Sequence, residues 1–162
     1  MADPYLQHLT EANKIFADQI KAADQKAAYV FTFLLAMLVW SSETRRAFNW
    51  EHLAAATPLT QVVSVVLSLS IITSLVSAVL VVAPRSRPGR SLFFWGAWPT
   101  AGERLIAARR SEDAEFLFAE YMENTRTLAA ICQSKYRTVA IALRALLCTV
   151  LAYAILLFAA SG

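Results

Sequence analysis

The stretch QVVSVVLSLSIITSLVSAVLVVA, residues 61–83, contains no charged side chain. A helix needs about 20 apolar residues to cross the roughly 30 Å of hydrocarbon in a bilayer. This stretch therefore predicts a membrane-spanning helix and sets the fold class of the whole chain. Two further candidate spans flank it: residues 27–42, with Trp40 as an interface anchor, and residues 139–160, which contain one arginine.

The composition of the 162 residues agrees with a membrane protein. Hydrophobic residues make up 57% of the chain and charged residues only 17%, whereas soluble domains are roughly half apolar and about a quarter charged. Glycine and proline are scarce, at four and five residues, which favours long uninterrupted helices. The two cysteines, Cys132 and Cys148, lack zinc-type spacing, so no metal site is predicted.

Basic residues near the ends of the spans indicate the orientation of the chain. They follow the second span and precede the third: Arg85, Arg87, Arg90, Lys135 and Arg137. Short loops rich in lysine and arginine stay in the cytoplasm. We therefore expect residues 84–138 and the N-terminus inside, and residues 43–60 and the C-terminus outside.

The cytoplasmic segments are also predicted to be helical. In residues 1–26, apolar side chains recur every three or four residues and form one seam, in which Asn13 is the polar member. Ser111 is a suitable N-cap for a helix over residues 111–138 that continues into the third span. The sequence thus predicts an all-α membrane protein with three transmembrane helices. The N-terminal helix and the long helix would form a helical cytoplasmic stalk.

The loop predicted at residues 84–110 combines arginines with aromatic residues. Guanidinium groups hold phosphates, and aromatic rings stack on bases. The candidate nucleotide-binding residues are Arg85, Arg87, Arg90, Phe94, Trp95, Arg104 and Arg109. The same composition also suits an interfacial loop, in which aromatic rings lie among lipid headgroups and arginines meet anionic lipid. Both interpretations stay open at this point.

Charged residues also occur where the helices enter the membrane. Asp24 and Lys26 precede the first span, and Arg144 lies roughly 8 Å inside the third at about 1.5 Å per residue. A pair between Asp24 and Arg144, or between Asp24 and Arg137, would explain these charges and could act as a latch that ligand-driven movement breaks. Snorkelling of the charged groups to the interface is the alternative. The candidate gating or structural residues are Asn13, Asp24, Lys26, Lys135, Tyr136, Arg137 and Arg144.

Serine residues repeat at four-residue spacing in the second span. Ser64 and Ser68 form one such pair, and Ser70, Ser74 and Ala78 form a series. Small residues at this spacing let membrane helices approach closely and share hydrogen bonds. The pattern fits contacts between subunits and contacts within one protomer equally well.

Motifs of common enzymes are absent from the sequence. It contains no Walker loop, GxGxxG, HExxH or GxSxG. His8 and His52 fall on opposite sides of the predicted membrane, so they cannot share a site. We expect no catalytic activity, no metal and no nucleic-acid partner.

The order of these features resembles the transmembrane type of bacterial Pycsar effectors. The resemblance is carried by Ala23-Asp24-Gln25-Lys26-Ala27 before the first span, Ser91–Trp98 after the second and Lys135-Tyr136-Arg137 before the third. In Pycsar systems, a cyclase makes cyclic CMP or cyclic UMP on phage infection and an effector responds.

This resemblance implies an anti-phage effector of the inner membrane. Such an effector would form a homo-oligomer, respond to the cyclic nucleotide made by its partner cyclase, impair membrane integrity and cause abortive infection. It would need no cofactor beyond this activating ligand. The residues alone also allow a non-gated membrane scaffold or accessory protein, and a small ion channel.

Overall fold

The computed structural model describes residues 3–83, 92–93, 98–111, 113 and 115–161, and within these ranges it contains helices and no strand. The helices are α1 (Pro4–Trp40), α2 (Ser42–Ala47), α3 (Trp50–Ala55), α4 (Pro58–Val82), α5 (Trp98–Arg110) and α6 (Glu115–Ser161). Three of them, α1, α4 and α6, are long and apolar enough to cross a membrane. The predicted all-α fold with three membrane-spanning helices is therefore confirmed.

The chain divides into two compact units. We call residues 23–83 and 136–162 the span unit, and residues 1–22 and 84–135 the second unit. The helices α1 and α6 contribute residues to both units, because neither contains a glycine or a proline after its first residue that would end it early.

One buried stripe on each of three helices forms the core of the span unit. On α1, Ala23, Ala27, Val30 and Leu34 are buried at spacings of four, three and four. The core residues on α4 and α6 are Leu67, Ile71, Ala78 and Val81, and Val139, Ala142, Ala152 and Leu156. This spacing places each set on one helix face. Alanine at many of the positions lets the helices approach closely.

The serine repeat of α4 lies in this core. The hydroxyl oxygen of Ser70 is 2.9 Å from that of Thr149 on α6. The hydroxyl of Ser74 donates to the carbonyl of Ala142 at 2.9 Å. Ser70 and Ser74 therefore contact α6 within one protomer, whereas the hydroxyl of Ser68 donates to the carbonyl of Ala47 at 3.2 Å. For Ser70 and Ser74 the structure favours the contact within one protomer.

The connection predicted as a loop at residues 43–60 contains two short helices. The hydroxyl of Ser41 accepts the N–H of Thr44 at 3.1 Å and caps α2. The side chain of Asn49 accepts the N–H of Glu51 at 2.9 Å and caps α3. Side chains of this kind satisfy the free N–H groups at a helix start, which explains why the connection forms helical turns.

The prediction of a loop throughout residues 84–110 is also wrong, because residues 98–110 form α5. From Glu103 onward the helix consists of Glu, Arg, Leu, Ile and Ala, most of which are strong helix formers. Gly102, Leu105 and Ala108, which recur every three residues, are partly buried. The clustering of arginine with aromatic residues drew the sequence interpretation away from this local preference.

The predicted start of the following helix at Ser111 needs a similar correction. The hydroxyl of Ser111 donates to carbonyls at the end of α5, those of Ala107 and Ala108. The carboxylate of Asp113 accepts the N–H groups of Glu115 and Phe116, each at 3.1 Å, and caps α6. A carboxylate suits this position because the N-terminus of a helix carries a partial positive charge.

Candidate functional site

A buried carboxylate, that of Glu120, lies at the centre of a cluster in the second unit. Glu120 is only 6% exposed. Its Oε2 accepts the backbone N–H of Leu92 at 2.8 Å, and its Oε1 accepts an N–H from the guanidinium of Arg104. A buried carboxylate is tolerated only when it is paired and hydrogen-bonded. Glu120 therefore joins the backbone at residue 92, α5 and α6.

Aromatic side chains belong to the same cluster. The rings of Phe93 and Tyr121 have their centres 4.4 Å apart, with an angle of 49° between their planes. The guanidinium carbon of Arg104 lies 5.8 Å from the ring centre of Phe116, within the range of a cation–π contact. We name the Glu120 cluster by its six residues: Leu92, Phe93, Arg104, Phe116, Glu120 and Tyr121.

Two side chains of the Glu120 cluster are partly exposed to solvent. The side chain of Arg104 is 49% exposed, and Phe93 is 45% exposed. A guanidinium carries five N–H donors in a rigid fork, and the exposed part of this one can meet an anion from solvent. Guanidinium groups can contact a phosphate and aromatic rings can stack on a base, and the cluster holds one exposed group of each kind.

Two of the predicted nucleotide-binding residues fall within the described ranges. Arg104 belongs to the Glu120 cluster. Arg109 lies on the same helix, is exposed, and makes no hydrogen bond or ion pair with any residue that the structure describes. The other predicted residues lie outside the described residues: Arg85, Arg87, Arg90, Phe94 and Trp95.

The sequence interpretation missed Leu92, Phe93, Glu120 and Tyr121 as site residues. Phe93 belongs to the aromatic stretch after the second span, so aromatic density was a usable signal for it. The sequence places Tyr121 only in the apolar seam of its helix. Glu120 carries no signal, because a carboxylate near the start of a helix ordinarily faces water. Only its partners, 16 and 28 residues away, account for its burial.

A second polar contact of this unit involves Asn13, the polar member of the predicted seam. The hydroxyl of Thr125 on α6 lies 3.0 Å from Asn13 Oδ1 and 2.7 Å from the carbonyl of Tyr121. Asn13 Nδ2 is buried and has no hydrogen-bond partner among the residues described. A hydroxyl has a single proton, so Thr125 donates to one of its two acceptors at a time. The contact therefore connects α1 to α6 with an amide that is only partly satisfied.

A double-mutant cycle on this contact gives our first prediction. Thr125→Val should lower the free energy of unfolding by about 1–3 kcal/mol, because it leaves the Asn13 amide buried without a partner. Adding Asn13→Leu should recover most of that loss, since removing both partners of a buried hydrogen bond can be nearly neutral. Thermal unfolding of the purified protein in mild detergent measures both effects. A double variant less stable than Thr125→Val would show that the amide makes a favourable interaction elsewhere.

The charged residues at the helix junctions have different surroundings from those predicted. The Nζ of Lys26 lies 5.2 Å above the ring centre of Tyr136, in a cation–π contact within the span unit. Lys135, in the second unit, is buried. The three residues of the Lys135-Tyr136-Arg137 element thus differ in environment, since Arg137 is exposed.

The predicted pair of Asp24 with Arg144 or Arg137 is not formed. Both arginines are exposed, and neither makes an ion pair or hydrogen bond with any residue in the described part of the chain. Asp24 is partly buried and has a polar interaction of its own. The physical reason is the helix face: Arg144 lies between the buried positions Ala142 and Ala145 in sequence but points to the outer side of α6.

The fold and the Glu120 cluster together define a membrane protein whose described residues are helical and in which one compact unit carries an ion pair beside aromatic side chains. A protein-family model described as the Pycsar effector protein domain matches residues 8–161. The chain belongs to this family of Pycsar effectors. It is therefore an anti-phage effector associated with cyclic-nucleotide signalling, in a family of membrane effectors that are not known enzymes. Neither a curated protein nor a solved structure matches the chain.

Proposed function

We propose that this protein detects a cyclic pyrimidine nucleotide, cyclic CMP or cyclic UMP, through the Glu120 cluster and then impairs the inner membrane as a homo-oligomer. The nucleotide would come from a partner cyclase, and the damage would cause abortive infection. The observation that carries the proposal is the family match over residues 8–161. That range includes the Glu120 cluster and the apolar parts of all three membrane-spanning helices.

The chemistry of the Glu120 cluster suits a small monoanion with a flat ring. A cyclic nucleotide has one phosphodiester charge, which the half-exposed guanidinium of Arg104 can contact. The exposed part of Phe93 offers an aromatic surface for the base. The described residues lie in helices and short connections, so the proposed site draws on helix and loop side chains among them rather than on a β-rich domain.

Ligand binding at Arg104 would alter the hydrogen bonds of Glu120. The guanidinium of Arg104 donates to this carboxylate, and the same carboxylate accepts the backbone N–H of Leu92. A phosphate that draws Arg104 away weakens this arrangement. Leu92 follows α4 in the sequence, and the weakened contact at its N–H is the first step of the proposed response. The cluster would then have two states, one with Arg104 bound to Glu120 and one with Arg104 bound to the phosphate. The nucleotide shifts the equilibrium between them only as far as its affinities for the two states differ.

Dye release from liposomes tests the proposal directly. We expect the reconstituted protein to release an enclosed dye when cyclic CMP or cyclic UMP is added, and to release little without it. Arg104→Gln should raise the nucleotide concentration needed for half-maximal release by about tenfold or more, because a hydrogen bond to a charged group contributes about 1.5–3 kcal/mol. Arg110→Gln is the matched control, since Arg110 lies on the same helix and is exposed.

The outcomes separate the competing functions. Release without any nucleotide, and unchanged by it, would indicate a constitutive ion channel. Absence of release with every nucleotide, for correctly inserted protein, would favour a scaffold or accessory role. A full nucleotide response in Arg104→Gln would remove the Glu120 cluster as the sensing site while leaving the effector function intact.

A further inference from the structure

The part of α6 in the span unit carries an outer stripe that the core does not use. Arg137, Ile141, Arg144, Cys148 and Leu151 recur at spacings of four and three residues, and all five are exposed. The buried residues of the same helix, such as Val139 and Ala142, lie on other faces. We call these five residues the outer stripe. It consists of two arginines at one end and apolar side chains or a thiol over the rest.

The two arginines of the outer stripe are suited to act together. Their Cα atoms lie about 10.5 Å apart along the helix at about 1.5 Å per residue. Long side chains on helices lean toward the N-terminal end, and arginine in a membrane span snorkels toward the interface. Both effects direct the guanidinium of Arg144 toward Arg137. Neither arginine has a hydrogen bond or ion pair with another described residue.

A second copy of the chain offers no carboxylate to Arg144 within its spans. Residues 27–42, 61–83 and 139–160 contain no Asp or Glu, so Arg144 meets no protein carboxylate at its depth in the membrane. At the same end of the span unit, Lys26 adds a third cation near Tyr136. The anion available to such a group in a bilayer is the phosphate of a lipid headgroup.

We propose that the outer stripe binds an anionic phospholipid. Arg137 and Arg144 hold its phosphate, and Ile141, Cys148 and Leu151 lie along an acyl chain. The phospholipid headgroup and a cyclic nucleotide both contain a phosphate diester, so either could bind the two arginines. The outer stripe lacks an aromatic residue for a base, however, and its apolar part continues down the helix. These features match a lipid.

Lipid retention by the full-length purified protein tests this proposal. The protein is incubated in mixed micelles containing either phosphatidylglycerol or phosphatidylcholine, repurified, and analysed for bound lipid by native mass spectrometry. We expect the unsubstituted protein to retain more phosphatidylglycerol than phosphatidylcholine. Removing each arginine, as Arg137→Gln or Arg144→Gln, should reduce that preference about fivefold, and the double variant should lose it almost completely. Arg45→Gln, at another exposed arginine of the span unit, should leave it unchanged.

Three results would overturn the proposal. One is equal retention of phosphatidylglycerol by the parent and the double variant. Another is displacement of bound phosphatidylglycerol by cyclic CMP or cyclic UMP, which would assign the phosphate contact to the nucleotide. The third is efficient disulfide formation between copies of Cys132→Ser through Cys148, without any lipid preference, which would show that a second copy covers the outer stripe.

Folding controls keep the test decisive. Arg144→Lys retains a cation and should keep most of the preference, because a lysine still attracts a phosphate. If Arg144→Gln fails to insert, Arg137→Gln carries the test alone, since it lies nearer the predicted end of the span. If the double variant loses its lipid preference and still releases dye in response to the nucleotide, lipid binding at the outer stripe is independent of nucleotide sensing.

Discussion

Replacing Glu120 with lysine is expected to lower the free energy of unfolding by about 3–5 kcal/mol, the cost of breaking a buried ion pair. The lysine would place a second cation beside Arg104 and leave the N–H of Leu92 without its acceptor. Because Arg104 is half exposed and water screens it, we expect the lower end of this range. Domains are typically stable by only about 5–15 kcal/mol. Protease digestion of the second unit and thermal unfolding in detergent both measure the loss.

Two variants serve as controls for Glu120→Lys. Glu123→Lys makes the same charge change at an exposed position of α6 and should alter stability by less than about 0.5 kcal/mol. Glu120→Gln keeps an acceptor for Leu92 and should cost about 1–3 kcal/mol, less than the lysine. If Glu120→Lys proves as stable as Glu123→Lys, the Glu120 cluster does not hold the second unit together.

The double substitution Ser70→Leu and Ser74→Leu should disrupt the protomer itself. Ser74 is fully buried and donates to the carbonyl of Ala142, and Ser70 lies against Thr149. Added side-chain volume in a close-packed interface costs about 1–3 kcal/mol at each site. Each hydrogen bond lost between membrane helices adds about 0.6 kcal/mol. We expect a fall of several degrees or more in the thermal midpoint of the protein in detergent, with earlier aggregation on size exclusion.

The control for this prediction is Thr73→Leu on the same helix. Thr73 is exposed, and its hydroxyl donates to the carbonyl of Leu69 within its own helix turn. We expect this substitution to leave the thermal midpoint nearly unchanged, because leucine suits a lipid-facing position. A double serine variant that keeps the parent's thermal midpoint and loses only its oligomeric state would restore the interpretation that these serines face another subunit.

The contact of Asn13 and the exposure of Arg144 have different relations to the local sequence pattern. Asn13 lies among apolar residues at regular helical spacing, so the sequence alone identified the face it shares with Leu9. Its partner Thr125 is 112 residues away in the sequence, so a local pattern of residues could not identify it. The latch required Arg144 to point inward. A period of 3.6 residues assigns it instead to the outer side, because Ala142 and Ala145 occupy the core.

The sequence by itself determined the class of protein, because membrane insertion depends on the local density of apolar residues. The uncharged residues 61–83, the long runs without glycine or proline, and the ordered motifs were sufficient for three spans and for the family. Tertiary structure alone decided the burial of Glu120, the position of Lys26 over Tyr136 and the inward direction of Ser70 and Ser74. Each of these depends on a partner distant in sequence, and the free energy of a polar side chain is set by the groups that surround it after folding.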